Sequence, residues 1–262
     1  MDNRPKLSKN AIIGYPAGII SGIAYGLNPL FAMPLMSKGA SVESVIFFRY
    51  SIAVVLLGLF LCLRKERFAI TLKQTLLLIC IGLLYTASSL FLFEAYNYIP
   101  SGLATTLVFV SPVMVALIMV CLRVVPSIPV WMAIFASFAG VFIMTRSSGT
   151  ETINPIGVYL SLGSALVYSI LVVIVNKSKA LKSLSSTLLT FYSLCVGTVV
   201  FSSRLLLSGG ELMTGLDARL SWINLIGLAL LPTIVSTASL AISSRNIGAT
   251  KASVLGVFEP IT

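Results

Sequence analysis

Charged residues divide this chain into long apolar blocks. Reading between them gives runs over 10–37, 74–93, 95–122, 124–145, 152–176, 183–203 and 220–244. A further run, 45–63, is interrupted only by Arg49, and a last one begins near Ala249 and reaches Thr262. In chain order these are runs 1 to 9, with 45–63 as run 2. A helix crosses a hydrocarbon core of about 30 Å with roughly 20 apolar residues, because each residue rises about 1.5 Å. Backbone polar groups in lipid must bond internally, which selects helices over open strands. Barrel strands would be about 10 residues long with alternating polarity, unlike these runs. The pattern predicts an all-α integral membrane protein with eight complete transmembrane helices and a fragment of a ninth.

Composition agrees. Of 262 residues 57% are hydrophobic and 10% charged, against about 25% charged in an ordinary soluble domain. The net charge of +10 could suggest nucleic acid, but its distribution argues otherwise. If the N-terminus is cytoplasmic, 13 Lys and Arg fall inside, among them Arg64, Lys65, Arg67, Lys177, Lys179 and Lys182. Four fall outside, Lys38, Arg146, Arg204 and Arg219. That bias predicts a cytoplasmic N-terminus by the positive-inside rule, with the bilayer as partner and no nucleic acid. Run 1 is too long for a signal peptide and lacks a small-residue cleavage site. The connections are short, the longest about 15 residues, which leaves no room for a soluble catalytic domain.

A weak internal repeat divides the chain. Gly14, Ser21 and Tyr25 align with Gly157, Ser164 and Tyr168 at an offset of 143, and Ile99, Ala104, Leu107 and Pro112 align with Ile247, Ala252, Leu255 and Pro260 at 148. On this register residues 1–147 form one five-helix repeat and 148–262 begin a second, incomplete in helix 9. Five is odd, so the second repeat enters the membrane from the opposite side. Two inverted five-helix repeats with a site near the midplane are a recurring plan of secondary transporters.

The stretch from Phe93-Glu94-Ala95-Tyr96 through Pro100-Ser101-Gly102 to Val110-Ser111-Pro112 resembles the third-to-fourth helix junction of EamA-type members of the drug/metabolite transporter superfamily. Phe48-Arg49-Tyr50 and Phe258-Glu259-Pro260 resemble other recurring elements of that family. The resemblance implies ten helices as two inverted repeats, both termini cytoplasmic, and small metabolites carried through a central cavity. Two departures stand out. Arg123-Val124-Val125-Pro126 replaces the family's usual Glu-Arg or Glu-Lys pair after helix 4, and helix 10 with most of helix 9 is absent.

Candidate chemistry is sparse. Run 1 places Gly14, Gly18, Ser21, Gly22, Tyr25 and Asn28 at three- and four-residue spacing, and run 6 places Gly157, Ser161, Ser164 and Tyr168 likewise. The small residues read first as close-packing positions. Tyr25, Tyr168 and Asn28 read as cavity residues, since their polar ends need partners in this environment. Ser89 in run 3, the stripe Ser101, Thr105, Phe109 and Pro112 with Ser111 in run 4, and Ser253 in run 9 complete the expected cavity lining. Intramembrane charges usually face the protein interior. Arg49 is expected to pair with Glu94 or Glu43, to meet carbonyls or a cavity, or to snorkel to the interface. Glu94 reads as a rim residue, and Glu259, about 10 residues into run 9, as a protonation or substrate-contacting site or a structural group.

The chain has no histidine, which excludes histidine-based metal sites, proton relays and Ser-His or Cys-His catalysis. Cys62, Cys80, Cys121 and Cys195 are scattered without metal-ligand spacing. No phosphate-binding glycine loop occurs, so gradients and not ATP would drive this chain. No metal, cofactor or enzymatic activity is expected. The reading is a secondary active transporter exporting small metabolites, amino acids or amphipathic drugs among them, by alternating access, with protons as candidate coupling ions. Its setting would be a bacterial inner membrane. The alternative is a structural or sensory membrane subunit that transports nothing.

Overall fold

The computed structural model describes residues 9–124, 154–208 and 219–261, with single positions 128, 131, 132 and 135 between them. Among the described residues the regular structure is helical, without a strand. Helices α1 (Lys9–Gly26) and α2 (Asn28–Met36) make one broken span, followed by α3 (Val42–Leu63) and α4 (Leu72–Ala95). A second broken span joins α5 (Ser101–Val108) to α6 (Ser111–Cys121). Then come α7 (Pro155–Lys177), α8 (Ser186–Ser208) and a third broken span of α9 (Arg219–Leu228), a π-helical stretch (Ala229–Val235) and α10 (Ser236–Ile247). A short α11 (Ala249–Val254) runs into a 3-10 segment, Leu255–Ile261.

Seven of these spans are long and apolar enough to cross a membrane, so the chain is a multi-pass membrane protein. Of run 5, only the helical positions Ile128, Trp131, Met132 and Phe135 are described, with the Trp131 and Phe135 rings 6.4 Å apart. The structure moves several expected boundaries. Run 4 begins at Ser101 and not Ala95, because Tyr96–Pro100 is a turn and Pro100 precedes the first helical residue. The second span starts three residues earlier than run 2, at Val42. The Ser41 hydroxyl accepts from the Ser44 amide, and Glu43 occupies the first turn, where the helix dipole favours an anion.

The side from which α1 starts is here called proximal and the opposite side distal. Long-range packing pairs α1 with α10, α3 with α8, and α4 with both α7 and α8. Glycines bring these helices together. A Cβ on Gly14 would lie 2.5 Å from Ile247, one on Gly157 2.8 Å from Ile99, and one on Gly82 2.6 Å from Val196. In lipid, close backbone approach replaces the hydrophobic drive that assembles soluble cores, so the packing reading of these small residues describes their contacts.

Helix ends and breaks have local causes. Lys65 and Arg123 take left-handed φ values of 52° and 60° at the proximal ends of α3 and α6. In each case the following amide bonds back to the last turn, Glu66 to Leu61 and Val124 to Met119. Arg123, which stands at the departure from the family motif, thus closes its span with a left-handed turn. In α6, Pro112 cannot donate to the Val108 carbonyl, and the Ser111 hydroxyl donates there instead. Pro232 cannot donate to the Leu228 carbonyl, and the π-helical register offers that carbonyl the Thr233 amide five residues on, with the Thr233 hydroxyl donating to it as well at 2.8 Å.

Candidate functional site

Two cavities meet near the middle of the bundle. One, of about 40 Å³, lies between α4, α7, α8 and α10 and is bordered by Ile81, Tyr85, Val172, Ser193, Thr237 and Ser244. The other, of about 30 Å³, lies between α1, α6, α7, α10 and the C-terminal helical segments, with Ser21, Tyr25, Ser111 and Ser253 on its wall. Tyr168 borders both, and its ring stacks on that of Tyr25 with centroids 6.1 Å apart.

Hydrogen bonds on either side of this stack mirror each other. The Ser21 hydroxyl donates to the Ser236 carbonyl at 2.9 Å, joining α1 to α10. The Ser164 hydroxyl donates to the Ser88 carbonyl at 2.8 Å, joining α7 to α4. Ser21 and Ser164 are 143 positions apart and Ser88 and Ser236 are 148 apart, the offsets of the sequence repeat. The contacts of Gly14 with Ile247 and of Gly157 with Ile99 follow the same rule.

Arg49 occupies the densest polar site. It is 1% exposed. Its Nε donates to the Thr233 hydroxyl and its Nη2 to the Pro232 carbonyl at 3.4 Å. Its guanidinium lies 5.4 Å from the Phe93 ring centroid and 5.8 Å from that of Tyr50, within cation–π range. Tyr50 stacks on Tyr85, 5.5 Å between centroids, and donates to Ser89 at 2.7 Å. Tyr85 is buried beside the guanidinium, with which its side chain interacts.

The expected ion pair of Arg49 with Glu94 or Glu43 does not form. Glu43 instead accepts from Arg204 at 2.9 Å on the distal surface, and Glu94 accepts from Asn97 at 3.2 Å at the distal end of α4. The carbonyl alternative is the one the structure contains. Asn28 is fully buried where α2 begins, and neither amide atom of its side chain meets a partner among the described residues. Thr105 bonds back to the Ser101 and Gly102 carbonyls, and Ser253 to that of Thr250. Ser111 also accepts, through its carbonyl, from Ser169 at 3.2 Å. The Glu259 backbone belongs to the 3-10 segment, and its side chain lies outside the described residues.

Sequence reasoning missed Tyr50, Tyr85 and Thr233, which surround Arg49, and the fasteners of the proximal side. There Gln74 Nε2 donates to the Ala180 carbonyl and Ser183 hydroxyl, Arg245 donates to the Leu181 and Leu184 carbonyls, and Asn176 to that of Ser244. A usable signal existed for Thr233, a hydroxyl residue beside a proline within an apolar run, as at Ser111-Pro112.

Set against known families, residues 12–146, just over half of the chain, match the EamA-like transporter family. The chain belongs to that family. It is accordingly a membrane transporter of small molecules within the drug/metabolite transporter superfamily. No curated protein matches this EamA-like chain. One solved crystal structure, titled only as that of a protein, is similar to it at a TM-score of 0.76 and 14% identity. The likeness covers 95% of this chain and 86% of the other. At that identity it concerns the fold alone.

Proposed function

We propose that this EamA-like chain is a secondary active exporter of small metabolites, working by alternating access between two inverted five-helix repeats, 1–147 and 148–262. The observation that carries the reading is the Tyr25–Tyr168 stack between two cavities, flanked by serine bridges that obey the repeat offsets. Exchanging the repeats turns the α1–α10 contact into the α7–α4 contact and returns the α3–α8 contact to itself, and all three occur. Such internal symmetry supports a second conformation in which the repeats trade roles. Tyr25, Asn28, Ser89, Thr105, Ser111, Ser164, Tyr168 and Ser253 are the cavity side chains of this proposal, with Arg49, Glu94 and Glu259 as its charged groups.

The orientation in this reading puts the proximal side in the cytoplasm of a bacterial cell. The 13 to 4 distribution of Lys and Arg supports it. The loop 178–185, with Lys179 and Lys182, then closes the cytoplasmic side through its bonds to Gln74 and Arg245. Glu259 followed by Pro260 stands at the repeat position of Ser111 followed by Pro112, which supports a role for its carboxyl in coupling inward proton movement to export.

The test has two parts. Cells with and without the gene are compared for metabolites released to the medium, and the released compound is then followed in proteoliposomes holding the purified chain under an imposed proton gradient. Protein-dependent, gradient-dependent flux is expected, with Glu259→Gln reducing its pH dependence more than its folding. Correctly inserted protein without any flux would favour a structural or sensory subunit. Single-cysteine labelling should place positions Lys65 and Lys179 inside, and exterior access to both would overturn the orientation.

A further inference from the structure

Two basic stretches lie on the proximal side, one where α3 turns into α4 and one where α7 turns into α8. The first carries Arg64, Lys65, Arg67 and Lys73, the second Lys177, Lys179 and Lys182. All seven side chains are exposed, and Glu66 is the one carboxylate within either stretch. A positive-inside bias needs only a sum over all the loops. Here the cations are gathered, for among the described side chains the rest of the proximal side adds Arg123, Arg245 and Lys251.

The fold ties the two stretches together. Tyr192, in the second turn of α8, donates from its hydroxyl to the Phe68 carbonyl at 2.7 Å, and the Phe68 ring meets that of Phe191 edge-on with centroids 5.8 Å apart. Residues 178–185 lead into the same helix. Gln74, next to Lys73, donates to the Ala180 carbonyl at 3.0 Å and to the Ser183 hydroxyl at 2.9 Å. The backbone at Lys65 is fixed as well, in a left-handed turn closed by the Glu66 amide on the Leu61 carbonyl. Seven cations held this way repel one another with one carboxylate among them, so the surface attracts an anion from outside the chain.

Their neighbours indicate which anion. Leu63 precedes Arg64 and is 75% exposed, and Leu72 precedes Lys73 at 79%. Leu59 and Leu76 continue these exposed faces one turn into the spans. The Arg64 guanidinium lies 5.1 Å from the Phe60 ring centroid, which lays its stem along α3. The leucine faces meet acyl chains, so the group nearest the cations is a lipid headgroup. We infer that residues 64–73 and 177–182 form a docking surface for an anionic phospholipid of the proximal leaflet, with its phosphate on the basic side chains and its acyl chains along α3 and α4. Each Lys or Arg near an anionic lipid surface contributes about fivefold in affinity, and the arginine fork matches a phosphate. The inference is independent of the transport reading and of which side is cytoplasmic.

The test counts bound lipid. Native mass spectrometry follows the full chain in neutral detergent as dioleoyl phosphatidylglycerol or dioleoyl phosphatidylcholine is added, two lipids with the same acyl chains and different headgroup charge. The phosphatidylglycerol should bind at about tenfold lower concentration. Arg64→Gln, Arg67→Gln, Lys179→Gln and Lys182→Gln combined should bring that ratio to about one. Should the combined variant not fold, the pair Lys179→Gln and Lys182→Gln decides, with a loss of about fivefold or more expected. Arg123→Gln with Lys251→Gln removes as much proximal charge elsewhere and should leave the ratio near its starting value. Glycerol 3-phosphate, a phosphate without acyl chains, should not displace the lipid at equal concentration. Equal binding of the two lipids, a preference that survives the loop substitutions, an equal loss in both pairs, or displacement by glycerol 3-phosphate would each overturn the inference.

Discussion

The contact between α4 and α8 can be tested at Gly82. A Cβ there would stand 2.6 Å from Val196 Cβ and 2.9 Å from the Ser193 carbonyl oxygen, whereas ordinary contact begins at 3.4 Å. The side chain of Val196 is branched and the Ser193 oxygen is backbone, so neither yields by a rotamer change. Gly82→Ala must therefore part the two helices by up to roughly 0.8 Å, a gap that forfeits about a quarter to a half of the dispersion well for each separated atom pair. Overpacking of this kind costs about 1–3 kcal/mol, against about 1 kcal/mol gained from alanine's better helix propensity. The net expectation is a loss of about 0–2 kcal/mol. Gly102 in α5 is the control, because a Cβ there meets nothing within 4 Å. Gly102→Ala should stabilise by about 0.5–1 kcal/mol. Reversible unfolding in mixed micelles with SDS, followed by circular dichroism, gives both values. If Gly82→Ala proves as stable as Gly102→Ala, the close approach of α4 and α8 is not present in the folded protein.

Lys65→Gly and Arg123→Gly should each raise stability by about 1 kcal/mol in the same titration, since each removes a Cβ from a left-handed backbone position. Ser21→Ala and Ser164→Ala should cost similar amounts, about 0.6 kcal/mol each, the usual worth of a hydrogen bond between membrane helices. A cost confined to one of the two would argue against equivalent bridges. Gln74→Ala removes two bonds to loop 178–185 and should speed tryptic cleavage at Lys179 and Lys182 several-fold while global unfolding changes little. An unchanged cleavage rate would mean that Gln74 does not hold the loop.

The spans were legible because lipid imposes one rule on all of them, a charge-free length. Their ends were less so. Charges mark where a helix leaves the hydrocarbon and not where its hydrogen bonding stops, so the Tyr96–Pro100 turn was absorbed into run 4 and Val42–Ser44 was cut from run 2. The repeat was legible in seven identities, and its Gly14, Ile99, Ser21 and Tyr25 positions with their counterparts lie at helix crossings. Arg49 stood out as a charge, but its surroundings did not. Its partners come from α4 and the π-helical stretch, nearly two hundred positions away in the case of Thr233, and no local pattern encodes a contact at that separation. Expecting a carboxylate was sound by charge arithmetic. It failed because Glu43 and Glu94 lie at the distal surface, bonded to Arg204 and Asn97.

The proline breaks connect these observations. Pro112 and Pro232 each withhold a donor from a carbonyl one turn back; the Ser111 hydroxyl supplies Val108, while at Leu228 the π-helical register and the Thr233 hydroxyl do so together. A hydroxyl on a rotatable side chain is a replaceable donor, unlike an amide fixed in the helix, so these turns can bend without stranding a buried carbonyl. The first break lies at a cavity and the second one turn from the other. Ser111 and Pro112 form part of the wall shared with Tyr25, and Thr233 holds Arg49 one turn from Thr237 on the other wall. The proline breaks thus lie near the cavities, while the glycine contacts Gly14–Ile247 and Gly157–Ile99 lie nearer the span ends and clamp the outer turns. Compliance at the middle with close packing at the ends is the distribution a transporter needs if its two halves are to rock about a central site without coming apart.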